Sequence, residues 1–505
     1  MKKTRFFLLL IPVLTGMILA SCRAGDDKSH YRAIPANAEM LYSVRLETIL
    51  EKSGLGEKLA NKADTPRGVA GILKNKGSLG VDLDDLLFFF VEEPGSPFPR
   101  TGFVARVINR AKLVKTLGLL EEDGLLSVAK KDDYTLVLFD GPGLSVVFND
   151  KVAVGMYDNG REGEFARELL VQPAENSILS NGPLVEAAFS GDEEFAGCFS
   201  FEAIYKYSPV GDINLPGMDA FSKLFGIVKI GFPDGAARLE ARVLIDSIAS
   251  TIGRPGRPAT LSQLAYFPAS PMFLATGTLN GEEYYKVVRT LFSFAPGLFL
   301  PSSGGRLSSS LDTFREVAGM LSSIDGDVTF GIIPGMPVPS LLLCAGAKDT
   351  RLLEVLNKYL SREYLPVSGR TELSPGSYRV DMAFPGLSLY YGVKDGLFTF
   401  TNDEKLFRNV GTPLADSYKS SSLARRIPRD ACGYFLLDFP SVIQPLSLLA
   451  GMSGGGSIPP GVAEVLSRLR YLEGYVESDG GIVLQVEFTD PKTNALKLIG
   501  DAIDF

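Results

Sequence analysis

The chain has 505 residues, 45% of them hydrophobic and 22% charged, with a formal net charge of −8. This is the balance of a globular protein with material for large cores, and at roughly 150 residues per domain the length suggests about three domains or two large ones. One histidine and no tryptophan all but exclude histidine triads, histidine-rich zinc sites, haem ligation and sugar stacking on indole.

At the N-terminus, Lys2, Lys3 and Arg5 precede an apolar stretch, Phe6 to Ile18, which ends in Leu19-Ala20-Ser21-Cys22. A positive start, a short apolar run and small residues form a secretory signal, and the run is too short for a comfortable membrane span. The ending resembles the bacterial lipoprotein lipobox. That resemblance implies a signal peptide over 1–21, cleavage before Cys22, a diacylglyceryl thioether on Cys22 and acylation of its amine. Several acyl chains anchor stably where one would be marginal. Loss of the three basic residues takes the charge from −8 to −11, which argues against nucleic acid as a partner and against anionic headgroups bound through bulk charge. Residues 22–32 read as a lipidated polar tether carrying the lone His30. Arg23, where an aspartate would signal retention at the inner membrane by resemblance to the enterobacterial sorting rule, points to the outer membrane. Asp26-Asp27 resembles a short version of the acidic export tag of surface lipoproteins, so the expected location is outer membrane, facing periplasm or cell surface.

The interior reads as a duplication. Ile34-Pro35-Ala36-Asn37-Ala38-Glu39-Met40-Leu41 reappears as Phe267-Pro268-Ala269-Ser270-Pro271-Met272-Phe273-Leu274. Pro142-Gly143-Leu144-Ser145 reappears as Pro385-Gly386-Leu387-Ser388, and Pro216-Gly217 as Pro460-Gly461, at offsets of 233, 243 and 244 residues. Three matches in one order predict a first unit over 33–250, a linker over 251–262 and a second unit over 263–505 that includes a C-terminal helix.

Within each unit the patterns predict a Pro-led strand, a helical region, two strands, a helix, a three-strand meander, a closing strand and helix, and a terminal hairpin. The predicted helices Arg110 to Leu117 and Thr350 to Tyr359 carry Leu113, Val114 and Leu117, and Leu352, Leu353 and Leu356, at helical spacing. Polar and apolar residues alternate along Arg238 to Ile245 and Ile482 to Phe488, the mark of a sheet with one wet face. The expected fold class is therefore α+β, with two tandem homologous units, each an antiparallel sheet with helices packed on one face. Lys492 to Phe505 reads as a docking helix with Leu496, Ile499 and Ile503 on one stripe. Pro301 to Ser310 and Gly451 to Gly461 are glycine- and serine-rich loops. Cys198, Cys344 and Cys432 sit in apolar, strand-like contexts and read as buried free thiols.

Chemical motifs are sparse. Gly451-Met452-Ser453-Gly454-Gly455 fits a nucleophile-elbow pattern, but no histidine follows it. Ser127-Val128-Ala129-Lys130 fits S-x-x-K without its partner motifs, and its context is a strand ending in a polar turn. Asp82, Asp84, Asp85, Glu92 and Glu93 flank a buried strand, and Glu121, Glu122 and Asp123 end a helix; two facing acids among these could run glycoside hydrolysis. Asp82 and Asp84 open like a calcium loop, but Leu86 and Leu87 stand where further ligands belong. The basic run Arg425-Arg426-Ile427-Pro428-Arg429 reads as capping a helix and its exit loop. No residue is assigned as catalytic, as cofactor-binding or as a metal ligand, and no cofactor is expected.

The phrase Ile34-Pro35-Ala36-Asn37-Ala38, the strand Leu41 to Leu46 and the following Leu50-Glu51-Lys52-Ser53-Gly54-Leu55 resemble a family of Bacteroidetes envelope lipoproteins of unknown function. The resemblance is clearest over 19–55. It implies the compartment and the two-unit layout, and no catalytic residue. The expected function is that of a lipid-anchored, non-enzymatic envelope protein that binds or scaffolds an envelope protein or a glycan. The alternatives are a carboxylate-dependent hydrolase of envelope or host polymers and a carrier of an apolar ligand.

Overall fold

The computed structural model describes residues 28–61, 79–93, 99–140, 143–157, 163–206, 224–244, 257–283, 285, 319–335, 338–360, 367–383, 386–443 and 465–502. The lipobox with Cys22, residues 251–256 of the linker, both glycine- and serine-rich loops, Pro142, Pro385, Pro216-Gly217 and Pro460-Gly461 lie outside the described residues. Two compact units divide the chain, Met1–Ile248 with Asp490–Phe505, and Ala249–Thr489.

The first unit carries β1 (Met40–Val44), β2 (Leu87–Glu92), β3 (Arg100–Arg106), β4 (Leu126–Lys130), β5 (Thr135–Phe139), β6 (Leu144–Phe148), β7 (Val152–Tyr157), β8 (Phe195–Ser200), β9 (Phe225–Gly231) and β10 (Ala236–Leu244). They pair antiparallel in the order β10-β9-β8-β1-β2-β3-β7-β6-β5-β4. Its helices are α1 (Leu46–Ser53), α2 (Leu55–Asn61), α3 (Arg110–Glu122), α4 (Glu164–Val171), α5 (Gly182–Phe189) and α6 (Phe201–Lys206).

The second unit carries β11 (Phe273–Asn280), β12 (Ile324–Ile333), β13 (Ser340–Ala347), β14 (Val367–Ser374), β15 (Ser377–Met382), β16 (Ser388–Lys394), β17 (Leu397–Thr401), β18 (Gly433–Asp438), β19 (Leu469–Val476) and β20 (Ile482–Phe488), with helices α7 (Arg351–Tyr359) and α8 (Glu404–Asn409). Its order is β20-β19-β18-β11-β12-β13-β17-β16-β15-β14, again all antiparallel. Adding ten to each label of the first order gives the second.

Helices cover both faces of each sheet, which corrects the one-face expectation. In the first unit Leu46 and Leu50 of α1 and Leu113, Leu117 and Leu120 of α3 pack with Leu87, Phe89 and Phe103. Ala166 of α4 and Leu184, Val185 and Ala188 of α5 pack with Phe88, Phe90 and Val104 on the other side. The second unit repeats this, with Leu352 and Leu353 of α7 against Ala345 and Phe398, and Leu406 of α8 against the cluster of Leu342 and Cys344. The physical reason is visible in β2 and β6. Leu87-Phe88-Phe89-Phe90 and all of β6 are buried, and a strand buried on both sides is an apolar run rather than an alternation. The alternating strands β10 and β20 stand last in their units' orders and do not represent the centre.

Four glycines among the described residues face phenylalanine across strand pairs: Gly102 opposite Phe90, Gly155 opposite Phe103, Gly226 opposite Phe199 and Gly474 opposite Phe435. In each the ring occupies the space a Cβ would need, so the aromatic side chain covers the backbone that the glycine leaves bare.

Both units open in the same way. A 3₁₀ helix, Lys28–Ala33 or Ser262–Tyr266, leads into Ile34-Pro35 or Phe267-Pro268. Pro35 then bridges to Ser177 and Pro268 to Ser417. The next residues donate from their amides to the entering strand, Ile178 to Ile34 at 3.0 Å and Tyr418 to Phe267 at 2.7 Å. The first of these helices corrects the tether reading of residues 22–32, because His30, Tyr31 and Ala33 are buried. The tether's polar composition continues to residue 32, but the apolar spacing of Tyr31, Ala33 and Ile34 pulls the helix onto the sheet.

The C-terminal helix α9 (Ala495–Ala502) belongs to the first unit, not to the second as its place in the sequence suggested. Gly235 accepts this segment by donating its amide to Thr493 at 2.8 Å, and Asn494 Nδ2 donates to the Phe232 carbonyl at 3.0 Å. Leu496 is buried as expected, but Ile499 is exposed. The close contact is made by Gly500, where a Cβ would lie 2.1 Å from the Ser53 carbonyl oxygen at the end of α1. Lys58 Nζ donates to the Gly500 carbonyl at 2.8 Å. Gly500→Ala is therefore expected to undock α9 and cost about 1–3 kcal/mol. Ile499→Ala should stay within about 0.5 kcal/mol; the two are compared by urea unfolding.

Candidate functional site

A polar cluster is buried in the first unit beneath the entering helix. Asp82 and Asp85 lie on the loop that leads into β2, and Arg106 ends β3. Arg106 Nη1 stands 3.3 Å from Asp85 Oδ2 and 3.7 Å from Asp82 Oδ2. Asp82 is 4% exposed. Its Oδ1 accepts from the amides of Asp84 and Asp85 at 3.2 and 3.3 Å, and its own amide donates to the Arg106 carbonyl at 3.0 Å. The sequence turns here because an aspartate can bond its own backbone two residues on. His30, 1% exposed, places Nδ1 3.9 Å from Asp85 Oδ2. Its ring meets Tyr31 edge-on at 4.8 Å and lies 5.7 Å from Phe88, while Tyr31 crosses Phe88 at 4.7 Å.

Burial and the neighbouring Asp85 carboxylate push Asp82 up to about 6, against the opposing pull of Arg106 and the two amides. Burial, and then Asp85, also raise the Tyr31 hydroxyl above its ordinary range, with Arg45 opposing. The sign of the Asp82 effect follows directly. The folded state keeps a proton that the unfolded chain has already lost, so this group's contribution to stability falls as pH rises from about 4 to about 6 and stays low above. A shift of this size corresponds to about 3 kcal/mol. Asp82→Asn is expected to flatten stability over that range, measured by urea unfolding at pH 4, 5, 6 and 7.

The second unit holds its own charged cluster. Arg426 Nη2 donates to Glu473 Oε1 at 2.6 Å and also to Glu487. Tyr434 donates its hydroxyl to Glu473 Oε2 at 3.4 Å and shares a hydrogen bond of 2.9 Å with Tyr418. Burial raises Glu473, with Arg426 opposing, and burial likewise raises both tyrosines. At this unit's entry, Gln263 stands where the 233-residue offset places the counterpart of His30. It is buried and donates Nε2 to the Asp327 carbonyl at 2.7 Å. Asp327 in turn accepts from the Thr260 amide at 3.1 Å and from the Thr278 hydroxyl at 3.3 Å.

The family described as a domain of unknown function, DUF4836, matches residues 31–496. The chain belongs to that family. The DUF4836 match starts at Tyr31, inside the buried entering helix, and ends at Leu496 in α9, so it spans both units. No curated protein matches the chain. Among solved structures, crystal form IV of TP0453 matches at 8% identity with a TM-score of 0.28, covering 44% of this chain and 83% of that one. Crystal form I of TP0453 matches at 7% identity with a TM-score of 0.24, covering 44% and 80%.

In this DUF4836 chain the acids singled out from sequence fall into place one by one. Asp82 and Asp85 converge, while Asp84 is exposed. Glu92 is buried and pairs with Arg100 at 3.1 Å. Glu121 accepts from the Val128 amide at 2.8 Å. A glycosidase pair needs two acids facing a sugar about 5–10 Å apart. Here each converging pair faces a guanidinium instead. Ser127 and Lys130 both lie in β4, so this S-x-x-K does not begin a helix. The elbow at 451–455 lies outside the described residues. Arg425 and Arg426 end a 3₁₀ helix, Ala424–Arg426, but Arg426 reaches the sheet carboxylates rather than capping a helix. No group of three or more potential metal ligands occurs among the described residues. Cys198, Cys344 and Cys432 are buried free thiols, and burial pushes Cys198 and Cys344 up to about 12.

Arg106 and His30 are the members that sequence reasoning missed. Arg106 is a lone charge inside the apolar run Phe103-Val104-Ala105-Arg106-Val107. That placement is itself a signal, because a charge in a buried strand needs a partner.

Proposed function

We propose that the chain is a lipid-anchored cell-envelope protein, held by acyl chains on Cys22, that binds or scaffolds an envelope protein or glycan and performs no hydrolysis. The observation that carries this reading is the closure of two converging carboxylate pairs among the described residues, Asp82 with Asp85 and Glu473 with Glu487, onto one arginine each. A carboxylate already paired with a guanidinium is poorly placed to exchange protons with a polymer. The shared strand order supports reading the two units as tandem homologues, and two copies of one scaffold give two related surfaces to a partner. No helix among the described residues is long and apolar enough to cross a membrane, and the attachment in this reading is the lipid, at the outer membrane.

Cross-linking in intact cells, followed by detergent extraction and mass spectrometry, is the test. The same envelope partner is expected in several growth states. Recovery of no specific partner would overturn the binding reading. Turnover of a cell-envelope polymer that disappears in Asp82→Asn or Glu473→Gln would establish the hydrolase instead.

A further inference from the structure

We infer that the first unit docks on the bilayer through the surface where its chain enters, with Val171 and Leu179 as the side chains that meet lipid. This rests on the Cys22 anchor proposed above. Only residues 23–27 separate Cys22 from Lys28. Six peptide steps reach at most about 20 Å, so the fold begins close to the headgroups.

The leash cannot lengthen at the expense of the helix that follows it. His30, Tyr31 and Ala33 are buried. Arg32 Nε donates to the Gln172 carbonyl at 2.8 Å, and Gln172 Nε2 donates back to the Arg32 carbonyl at 2.8 Å. The entering helix is thereby fastened to the end of α4, and paying out more chain would mean pulling aromatic side chains from the core.

The surface around that fastening is apolar at two points. Val171, next to Gln172, is 68% exposed, the highest value among the large hydrophobics of the described residues. Leu179 is 37% exposed and follows Ile178, whose amide is bonded to Ile34. Both therefore sit next in the chain to residues bonded to Arg32 and Ile34, four and six residues after Lys28. The exposed charges near these residues in the chain are mixed, Lys28 and Arg32 on the entering helix and Glu168 and Glu175 either side of Val171. Apolar contact under a short tether, rather than attraction to anionic headgroups, is what holds the face down. A tether this short keeps the local lipid concentration high, so two side chains suffice where a free protein would need a large patch.

The test uses the full lipidated chain in vesicles of zwitterionic phospholipid containing a nitroxide-labelled lipid as quencher. A fluorophore is placed on Val171→Cys, Leu179→Cys or, as control, Leu125→Cys. Leu125 is 53% exposed and follows α3, which packs on the opposite face of the sheet from α4. The buried native thiols stay unlabelled. Quenching is expected to be at least several-fold stronger at positions 171 and 179 than at 125. Equal quenching at all three, in protein whose intact mass shows acyl chains on Cys22, overturns the docking surface and leaves the anchor standing. An intact mass without acyl chains overturns the anchor and the docking surface together.

Discussion

Replacing Arg106 with methionine is expected to destabilise the first unit by about 3–5 kcal/mol at pH 7, the cost of leaving the buried Asp82, with partly exposed Asp85 beside it, without their cation. Methionine keeps most of the aliphatic volume, so the loss is electrostatic and not a cavity. Asp82 is nearly inaccessible, and Asp85 stands beside it on the same loop. Two backbone amides hold Asp82 Oδ1 but cannot neutralise two charges. The effect has a pH signature. Well below the raised value of Asp82, that carboxyl is protonated in the folded chain and no longer needs a cation, so the variant should recover part of its deficit relative to wild type in acid. The readout is the urea midpoint followed by circular dichroism, because the chain has no tryptophan. A cost under about 1 kcal/mol at pH 7, or a deficit that does not shrink in acid, would show that the cluster is solvated and not structural.

Much of the fold was legible from sequence, and the parts that were not share a cause. The antiparallel α+β class was legible from the alternating strands and close turns, and α3 from the spacing of Leu113, Val114 and Leu117. Sheet coverage is misread because alternation is easiest to see in β10 and β20, which stand last in their units' strand orders. The run Leu86-Leu87-Phe88-Phe89-Phe90 carried the correct information, since an unbroken apolar strand needs cover on both sides. His30 was misread because Arg23 to Arg32 is polar as a whole. Carrying the 233-residue offset four residues upstream from Ile34 pairs His30 with Gln263, and both are buried. The cluster itself was not legible. That Asp82 and Asp85 meet Arg106 depends on how β2 and β3 pair, and register is fixed by packing that no local pattern encodes. The placement of α9 on α1 is likewise a contact between chain ends, with only the small Gly500 to mark it.

Gly155→Ala is expected to cost about 3 kcal/mol, and Gly155→Val more, enough to unfold the first unit at moderate temperature. A Cβ at this position would fall 2.0 Å from Phe103 Cε1 and 2.2 Å from its Cζ, far inside contact distance. A flexible side chain would simply turn away, but Phe103 is buried, with the ring of Phe89 6.3 Å from its own. The strand must shift or the ring must leave its rotamer, and overpacking of this kind costs about 1–3 kcal/mol even in tolerant cores. The backbone offers no escape, since Gly155 also pairs with Val146 of β6. Gly118→Ala in α3 provides the contrast. Nothing lies within 4 Å of a Cβ there, and the helix should gain up to about 1 kcal/mol. The double variant Gly155→Ala with Phe103→Leu separates the causes. If the ring over the glycine is the obstacle, shortening it recovers part of the loss, and the two changes couple by about 1 kcal/mol or more. Additive costs in that cycle would mean that Gly155 matters for its backbone and not for the phenylalanine it seats.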